Sequence, residues 1–393
     1  MRRVYLDNNA TTPLHPEVKQ AIIENLDLFG NASSAHFFGQ EARKAVEDAR
    51  QKLASLINAE PEEIIFTSCG SESNNLVIKG VTCQDVYCKP NSAPAGKHII
   101  TSQIEHPSVM NPVKTLERQG FKVTWLPVDK YGLVDPELVR KSITRQTVLI
   151  TIMTANNEIG TIQPINEIAQ IAKEHNILFH TDAVQAVGKL EIDVKEMGVD
   201  FLSLSGHKLY APKGIAALYI RKGVEVCPIL HGGHQERGLR GGTENTLGII
   251  ALGKACEVAS REREKWVEKI WHLREKLRRG ILERIPEVII NGHPERVLPN
   301  TLSVTFKYIE GESILLRLSA QGIAVSTGSA CSTGSLEPSH VLLAIGLPHE
   351  LAHGTIRFSL GFENTEEDID YTLEVLPKVI QELREMSPLW PGN

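Results

Sequence analysis

The segment Val199-Asp-Phe-Leu-Ser-Leu-Ser-Gly-His-Lys208 carries an apolar run into a short turn that ends on a lysine. Its first six residues have the length and composition of a buried strand, and Gly206 permits a sharp turn after them. A lysine after a strand is most often a solvated surface residue. Because Ser205 and His207 can donate hydrogen bonds beside it, Lys208 is also a candidate for an amine that bonds covalently to a carbonyl group.

Similar apolar runs recur on both sides of this segment and are separated by amphipathic stretches, such as the one with Ile165, Ile168 and Ile171. Strands that alternate with helices predict an α/β fold with right-handed crossovers and a mostly parallel sheet. Such sheets bind ligands at the carboxyl ends of their strands. The predicted strands are Ile64–Thr67, His98–Ser102, Val123–Val128, Val148–Thr154, Ile177–Thr181, Phe201–Ser205 and Ile215–Ile220.

Polar residues follow several of these strands. Asp182 comes directly after one of them and either caps the next helix or pairs with the protonated nitrogen of a pyridine ring, with Gln185 near a ring hydroxyl. Glu105-His106 and Asn156-Asn157 follow two others. His106 is either structural or stacks on a planar cofactor. Five strand ends thus bring together polar groups that suit one ligand.

The segment Phe66-Thr-Ser-Cys-Gly70-Ser71-Glu-Ser-Asn74 is typical of a strand, a turn of small residues and a helix start. Backbone amides at a helix start, together with the Ser71 hydroxyl, form a site suited to a phosphate. An ordinary serine cap next to a glycine explains most such turns equally well.

The pattern of alternating strands and helices changes near residue 250. Apolar residues from Trp266 to Ile281 recur every three or four positions and predict a long charged helix. The capping-box pattern Thr365-Glu-Glu-Asp368 predicts the start of a closing helix. Between these helices lie three strand-like runs, Val288–Ile290, Thr301–Phe306 and Ile323–Ser326.

These patterns predict a smaller α+β domain after a boundary near 255–262. We divide the chain into an N-terminal segment, 1–14, that packs with the small domain, a large domain, 15–257, and the small domain, 258–393.

Composition narrows the function classes. The chain has 393 residues, with 42 basic and 48 acidic side chains and no basic block that would favour nucleic acid. No apolar run approaches membrane-spanning length, and the N-terminus lacks the apolar region of a signal peptide. The six cysteines lack metal-type spacing, since Cys83 and Cys88 have no partner cluster. Free thiols in a reducing cytoplasm are the simplest interpretation.

A second unusual segment is Val325-Ser-Thr-Gly-Ser-Ala-Cys331-Ser-Thr-Gly-Ser335. A lone cysteine is often a small buried hydrophobe. Here its neighbours are small, polar residues and glycines that cannot pack a core. The segment therefore favours an exposed, reactive thiol at Cys331.

Together these motifs resemble the cysteine desulfurases of the NifS/IscS type, which are pyridoxal-phosphate enzymes of fold type I. The resemblance extends over nearly the whole chain, and its Cys331 segment is similar to the long-loop group I branch. It implies a mixed, mostly parallel seven-stranded sheet with a smaller α+β domain. The matching motifs are Tyr5-Leu-Asp-Asn-Asn-Ala-Thr-Thr12, Ala-Asn156-Asn157-Glu-Ile-Gly160, His180-Thr-Asp182-Ala-Val-Gln185, Ser-Gly-His207-Lys208, Glu236-Arg-Gly-Leu-Arg240-Gly-Gly-Thr243, Ser-Thr-Gly-Ser-Ala-Cys331 and Thr355-Ile-Arg357-Phe-Ser-Leu-Gly361.

The resemblance implies a role for each matching residue. Lys208 would be the Schiff-base lysine, Cys331 the cysteine that carries the persulfide, and Arg357 the bidentate clamp for the substrate carboxylate. His106 would stack on the ring and handle protons. The remaining expected cofactor contacts are Asp182 at the ring nitrogen, Gln185 and Asn157 near the ring hydroxyl, with Asn157 also at the substrate, Gly70, Ser71, Ser205 and His207 at the phosphate, and Thr243 reaching the phosphate from the partner subunit.

The resemblance also implies the reaction and its partners. We expect a cytoplasmic homodimer that converts L-cysteine to L-alanine and passes sulfur from Cys331 to an iron–sulfur scaffold or a tRNA-thiolation protein. It would hold no metal of its own, apart from a transient contact of Cys331 with a cluster on such a scaffold. Two alternatives remain: another fold type I enzyme, such as an aminotransferase or selenocysteine lyase, which would not need Cys331, and an inactive subunit that keeps the fold.

Overall fold

The computed structural model describes residues 2–83, 96–327 and 338–391. Within these ranges the strands are β1 Val4–Tyr5, β2 Ile64–Thr67, β3 His98–Ser102, β4 Lys122–Leu126, β5 Thr147–Thr151, β6 Leu178–Asp182, β7 Phe201–Ser205, β8 Ala216–Ile220, β9 Val288–Asn291, β10 Thr301–Phe306, β11 Ile323–Ala324 and β12 Thr355–Ser359.

The helices of the same ranges surround these strands, and several begin at a proline or just after a polar cap. They are α1 Pro16–Glu24, α2 Phe37–Leu56, α3 Gly70–Val81, α4 Pro107–Arg118, α5 Pro136–Ser142, α6 Ile165–Glu174, α7 Val194–Met197, α8 Thr246–Arg284, α9 Gly311–Ala320, α10 His340–Ala344, α11 His349–Ala352 and α12 Glu366–Met386.

A seven-stranded sheet in the order β2-β8-β7-β6-β5-β3-β4 forms the centre of the fold. Neighbouring strands in the series β4-β3-β5-β6-β7 pair in parallel. Strand β8 is antiparallel to both of its neighbours, β2 and β7. The predicted mostly parallel sheet is confirmed. Each predicted strand matches an observed one, although β5 ends three residues before the predicted end, at Thr151.

Both faces of this sheet are covered. Successive residues of a strand point to opposite faces, and Phe201 and Leu202 accordingly belong to different apolar clusters. The cluster on one face includes side chains of α3 and α4, and the cluster on the other includes side chains of α2, α6 and α8. Burial on both sides explains why these strands are nearly continuous apolar runs.

A second, antiparallel sheet in the order β12-β10-β9 lies in the C-terminal part of the chain. The strand predictions omitted β12, whose buried residues include Arg357 at the centre of the strand. A charged residue there interrupts the apolar pattern that reveals a strand. The capping box at Thr365 and Asp368 is present, with reciprocal backbone to side-chain bonds of 3.4 and 3.1 Å.

Helix α8 has 39 residues, and the predicted domain boundary falls inside it. The helix packs against α1 and α2 as well as against α12. The N-terminal segment pairs with the C-terminal part, since β1 runs parallel to β11 and Asn8 N donates to Ser359 O at 3.0 Å. The division of the chain into three parts stays a prediction. None of the helices in the described ranges combines the length and apolarity that a membrane span requires.

Candidate active site

A cavity of about 390 Å³ lies at the carboxyl edge of the central sheet. The residues that follow β2, β3, β5, β6 and β7 line it, so the five predicted strand ends do converge there. Ten predicted site residues line this cavity: Gly70, Ser71, His106, Asn157, Asp182, Gln185, Ser205, His207, Lys208 and Arg357. Thr243 does not line it and is exposed. Cys331 lies outside the described residues.

Lys208 ends the short turn Gly206–Lys208 that follows β7. Its Nζ donates to the backbone oxygen of Ala10 at 2.6 Å and to that of Asn9. Backbone carbonyl groups of the N-terminal segment therefore hold the amine inside the cavity.

One end of the cavity is suited to an anion. Helix α3 begins there at Gly70. Its N-cap residue, Cys69, makes no side-chain hydrogen bond to the helix start within the described part of the chain. The hydroxyl of Ser205 is buried and has no hydrogen-bond partner in the described part of the chain. A Cβ atom at residue 70 would lie 2.9 Å from Cγ2 of Val184, so any larger residue here would require Val184 to shift. Backbone amides at a helix start and an unpartnered hydroxyl together fit a phosphate group.

His207 lines the same end of the cavity, and its Nδ1 lies 3.2 Å from Oγ1 of Thr11. The pKa of His207 is lowered to about 4, first by burial and then by the charges of the nearby Lys208, Lys213 and Lys189. His207 is therefore neutral at physiological pH and contributes a hydrogen bond rather than a positive charge.

Asp182 ends β6 with its carboxylate held from two sides. Val184 N donates to Oδ1 at 3.0 Å. Turns rather than a helix follow Asp182, so the alternative that Asp182 caps the next helix is wrong. Asn74 Nδ2 donates to Oδ2 at 2.8 Å. Asn74 is fully buried on α3, and the sequence analysis did not identify it. Its position two residues before an apolar helical run carries no local signal for this contact.

His106 is the N-cap residue of α4 and accepts a bond from Ser108 N at 3.1 Å. Its Nδ1 also lies 2.7 Å from the Ser108 hydroxyl. Burial lowers the pKa of His106; the carboxylate of Asp182 opposes this shift, and the charge of Lys208 adds to it. The ring therefore occupies the cavity as a neutral imidazole near pH 7.

Arg357 projects from β12 and is almost completely buried. Its guanidinium donates to Oδ1 of Asp7 at 2.8 Å and to the backbone oxygen of Asn157 at 2.9 Å. The carboxylate of Asp7 was not among the predicted site residues. It orients the guanidinium from the side of the N-terminal segment, and Arg357 lines the cavity at the same time.

Gln185 is held by Lys189, a third residue that the sequence analysis missed. Lys189 Nζ donates to Oε1 of Gln185 at 2.9 Å, and Gln185 Nε2 donates to the backbone oxygen of Asn9 at 3.0 Å. The amide therefore presents its donor side toward Asn9. The pKa of Lys189 is lowered to about 7, first by burial and then by the neighbouring charges of Lys208 and Arg357.

Two buried carboxyl groups stand next to predicted site residues. Glu105 precedes His106, and burial raises its pKa to about 8 although Ser102 Oγ and Met153 N donate to it at 2.6 and 3.0 Å. Glu158 follows Asn157, and burial raises its pKa to about 7. At neutral pH both carboxyl groups are therefore protonated to a larger extent than exposed carboxyl groups are.

The described residues contain no group of three or more His, Cys, Asp or Glu side chains that could hold a metal ion. Of the described cysteines, Cys69 is exposed and lines the cavity, whereas Cys227 and Cys256 are buried.

Comparison with known proteins identifies the family. A model of the aminotransferase class-V family matches residues 4–372. The chain belongs to the class-V aminotransferase family. It is 54% identical to a cysteine desulfurase IscS of Dictyoglomus turgidum over 388 residues, which are 98% of this chain and 97% of that protein.

Solved structures agree with this result. A NifS-like protein superposes with a TM-score of 0.89 at 40% identity, over 97% of this chain and 100% of that one. A protein named SspA, solved in complex with cysteine, superposes with a TM-score of 0.79 at 40% identity, over 92% of this chain and all of that one. The predicted family, fold type and enzyme class are confirmed: this class-V enzyme is a cysteine desulfurase with a fold of type I.

Proposed function

We propose that the enzyme binds pyridoxal 5'-phosphate in this cavity and uses it to convert L-cysteine to L-alanine, with the sulfur leaving on Cys331. The observation that carries the proposal is the meeting of a helix start, an unpartnered buried hydroxyl, a lysine amine and a carboxylate in one cavity. Members of the class-V family and its cysteine desulfurases depend on this cofactor.

The phosphate would lie at the start of α3. The amides of Gly70 and Ser71, the Ser205 hydroxyl and a ring nitrogen of His207 supply its hydrogen bonds. We also propose that Thr243 of a second subunit completes this contact in a homodimer, because Thr243 of the same chain lies outside the cavity.

His106 would hold the cofactor ring by stacking on it, and Asp182 would hold the ring nitrogen. When bound, the cofactor supplies an electron sink for the substrate Cα. The carboxylate of Asp182 keeps the ring nitrogen protonated, and Asn74 and Val184 hold that carboxylate in place. Gln185 offers an amide donor to the ring oxygen.

Lys208 is the amine for covalent attachment of the cofactor and, when free, for taking the Cα proton of cysteine. The carbonyls of Asn9 and Ala10 hold its Nζ inside the cavity. Arg357 binds the substrate carboxylate, with Asp7 and Asn157 O setting the direction of the guanidinium. His106 is the side chain placed to handle a second proton.

The thiolate of Cys331 would then attack the substrate sulfur. An S–S bond forms as the Cβ–S bond breaks, and the electron pair stays with the carbon fragment, which takes up protons to become alanine. The product is a persulfide on Cys331. We further propose that a cytoplasmic iron–sulfur scaffold or a tRNA-thiolation protein receives this sulfur.

The test uses the purified protein supplied with pyridoxal phosphate and 35S-labelled L-cysteine. We expect alanine to accumulate and the protein to acquire a label that a thiol reductant removes. Cys331→Ser should bind cysteine but acquire no label, because a serine hydroxyl cannot supply the nucleophile at neutral pH. Cys69→Ser is the matched control, because Cys69 is an exposed thiol that lines the cavity. This variant should keep wild-type labelling. Full labelling of the Cys331→Ser protein would refute the proposal.

A further inference from the structure

We propose that Asn74 and Ser108 are positioning residues that hold His106 as the tautomer with its hydrogen on Nε2 and join it to Asp182. This inference rests on the proposed function, in which His106 handles a proton. Four side chains form one continuous series of hydrogen bonds. Asn74 Nδ2 lies 2.8 Å from Oδ2 of Asp182 and 2.8 Å from Oγ of Ser108, which lies 2.7 Å from Nδ1 of His106.

The direction of each bond follows from the groups at the two ends. An aspartate carboxylate only accepts hydrogen bonds, so the Asn74 amide must turn its NH2 group toward Asp182. The same NH2 group reaches the Ser108 hydroxyl, which accepts from it. The hydroxyl hydrogen of Ser108 is then directed to Nδ1 of His106.

A second donor reaches the same nitrogen independently. The backbone N–H of Ser108 can only donate, and it lies 3.1 Å from Nδ1 of His106 as the helix cap. Both contacts require an unprotonated Nδ1. In the neutral ring, which burial favours, the hydrogen therefore lies on Nε2.

The tautomer decides what His106 does in the reaction. Because Nδ1 accepts from Ser108 and Nε2 carries the hydrogen, the neutral ring can donate a proton from Nε2 but cannot accept one there. Abstraction of the substrate Cα proton is thereby left to Lys208. Asn74 does not line the cavity, so it acts only through Asp182 and Ser108.

Nitrogen-15 NMR of histidine-labelled full-length protein, with and without pyridoxal phosphate, tests the tautomer. The signals of His106 are assigned by their loss in His106→Gln. We expect the chemical shift of an unprotonated nitrogen for Nδ1 and of a protonated one for Nε2. In Ser108→Ala the population should shift toward hydrogen on Nδ1, and Ser108→Thr should restore the wild-type signals because it keeps the hydroxyl.

Kinetics test the positioning role. Asn74→Ala should lower kcat for alanine formation roughly tenfold to a hundredfold, the range expected when a hydrogen bond to a charged group is lost, with little change in KM for cysteine. Asn75→Ala is the control, because Asn75 is on the same helix and its side chain donates to Ser71 O of that helix at 2.9 Å. Its kcat should match the wild type.

A protonated Nδ1 in the wild type would overturn the inference while leaving the proposed function intact. So would an Asn74→Ala protein with wild-type kcat and wild-type His106 signals. A wild-type protein that forms no alanine would overturn the proposed function, and the NMR measurement decides the tautomer in either case.

Discussion

Replacing Ser205 with alanine should have opposite effects on the cofactor-free protein and on cofactor binding. The Ser205 hydroxyl is buried and has no hydrogen-bond partner among the described residues. A buried polar group without a partner costs about 1 to 3 kcal/mol. Removing it should therefore leave the cofactor-free protein as stable as the wild type or more stable by about 1 kcal/mol.

Cofactor binding should weaken in the same variant. A hydrogen bond to a charged phosphate contributes roughly 1.5 to 3 kcal/mol, which corresponds to an increase of about 10- to 150-fold in Kd. The assay is titration of the cofactor-free protein with pyridoxal phosphate, followed by absorbance, together with thermal melting of the cofactor-free protein. A stabilisation of about 1 kcal/mol would raise the melting temperature by a few degrees at most, roughly 2 °C.

Ser203→Ala is the matched control. Ser203 lies two residues earlier on β7, is fully buried and does not line the cavity. Its hydroxyl lies 3.0 Å from Nε2 of His180. Alanine there removes a satisfied hydrogen bond, so it should lower the melting temperature and leave the Kd near the wild-type value. An unchanged Kd in Ser205→Ala, or a clear loss of stability in its cofactor-free form, would refute the assignment of the phosphate to this hydroxyl.

Two further predictions follow from the buried charges. Arg357→Lys should raise KM for cysteine roughly tenfold or more. A single ammonium group cannot bond to Asp7 and to the substrate carboxylate at the same time, as the guanidinium fork can. An unchanged KM would exclude Arg357 as the clamp. Glu105→Gln should flatten the pH dependence of stability. Burial raises the pKa of Glu105 from 4.5 to about 8, so its stabilising contribution is complete below pH 4.5 and is lost as the pH rises toward 8. Urea unfolding of both proteins between pH 5 and 8 measures this, and parallel curves would contradict it.

Much of the fold is visible in local sequence patterns. The apolar runs of β2, β3 and β7 have the observed bounds, and the capping box at Thr365 starts α12 as expected. These signals are local because a strand buried on both faces must be apolar throughout, and a helix start must satisfy its own amides. Several of the cavity residues, though not Arg357, were found for a related reason. Ligands of a parallel sheet bind where its strands end, and strand ends can be located in a sequence.

Other features depend on contacts between distant parts of the chain. Strand β12 was not predicted, because the buried Arg357 interrupts its apolar pattern. The hydrogen-bond partners of Arg357, Asp7 and Asn157, come from distant parts of the chain. The antiparallel position of β8 between β2 and β7 cannot be deduced from the composition of that strand.

Asn74 shows most clearly what only the tertiary structure decided. In the sequence it is one of two adjacent asparagines on a helix, and nothing local separates it from Asn75. Folding buries Asn74 against Asp182, 108 residues away, and leaves Asn75 bonded to its own helix. The sequence by itself determined which polar groups reach the edge of the sheet. Which of them pair was decided by the packing of α3 over β6, because hydrogen-bond partners depend on distances in space that no periodicity of the chain records.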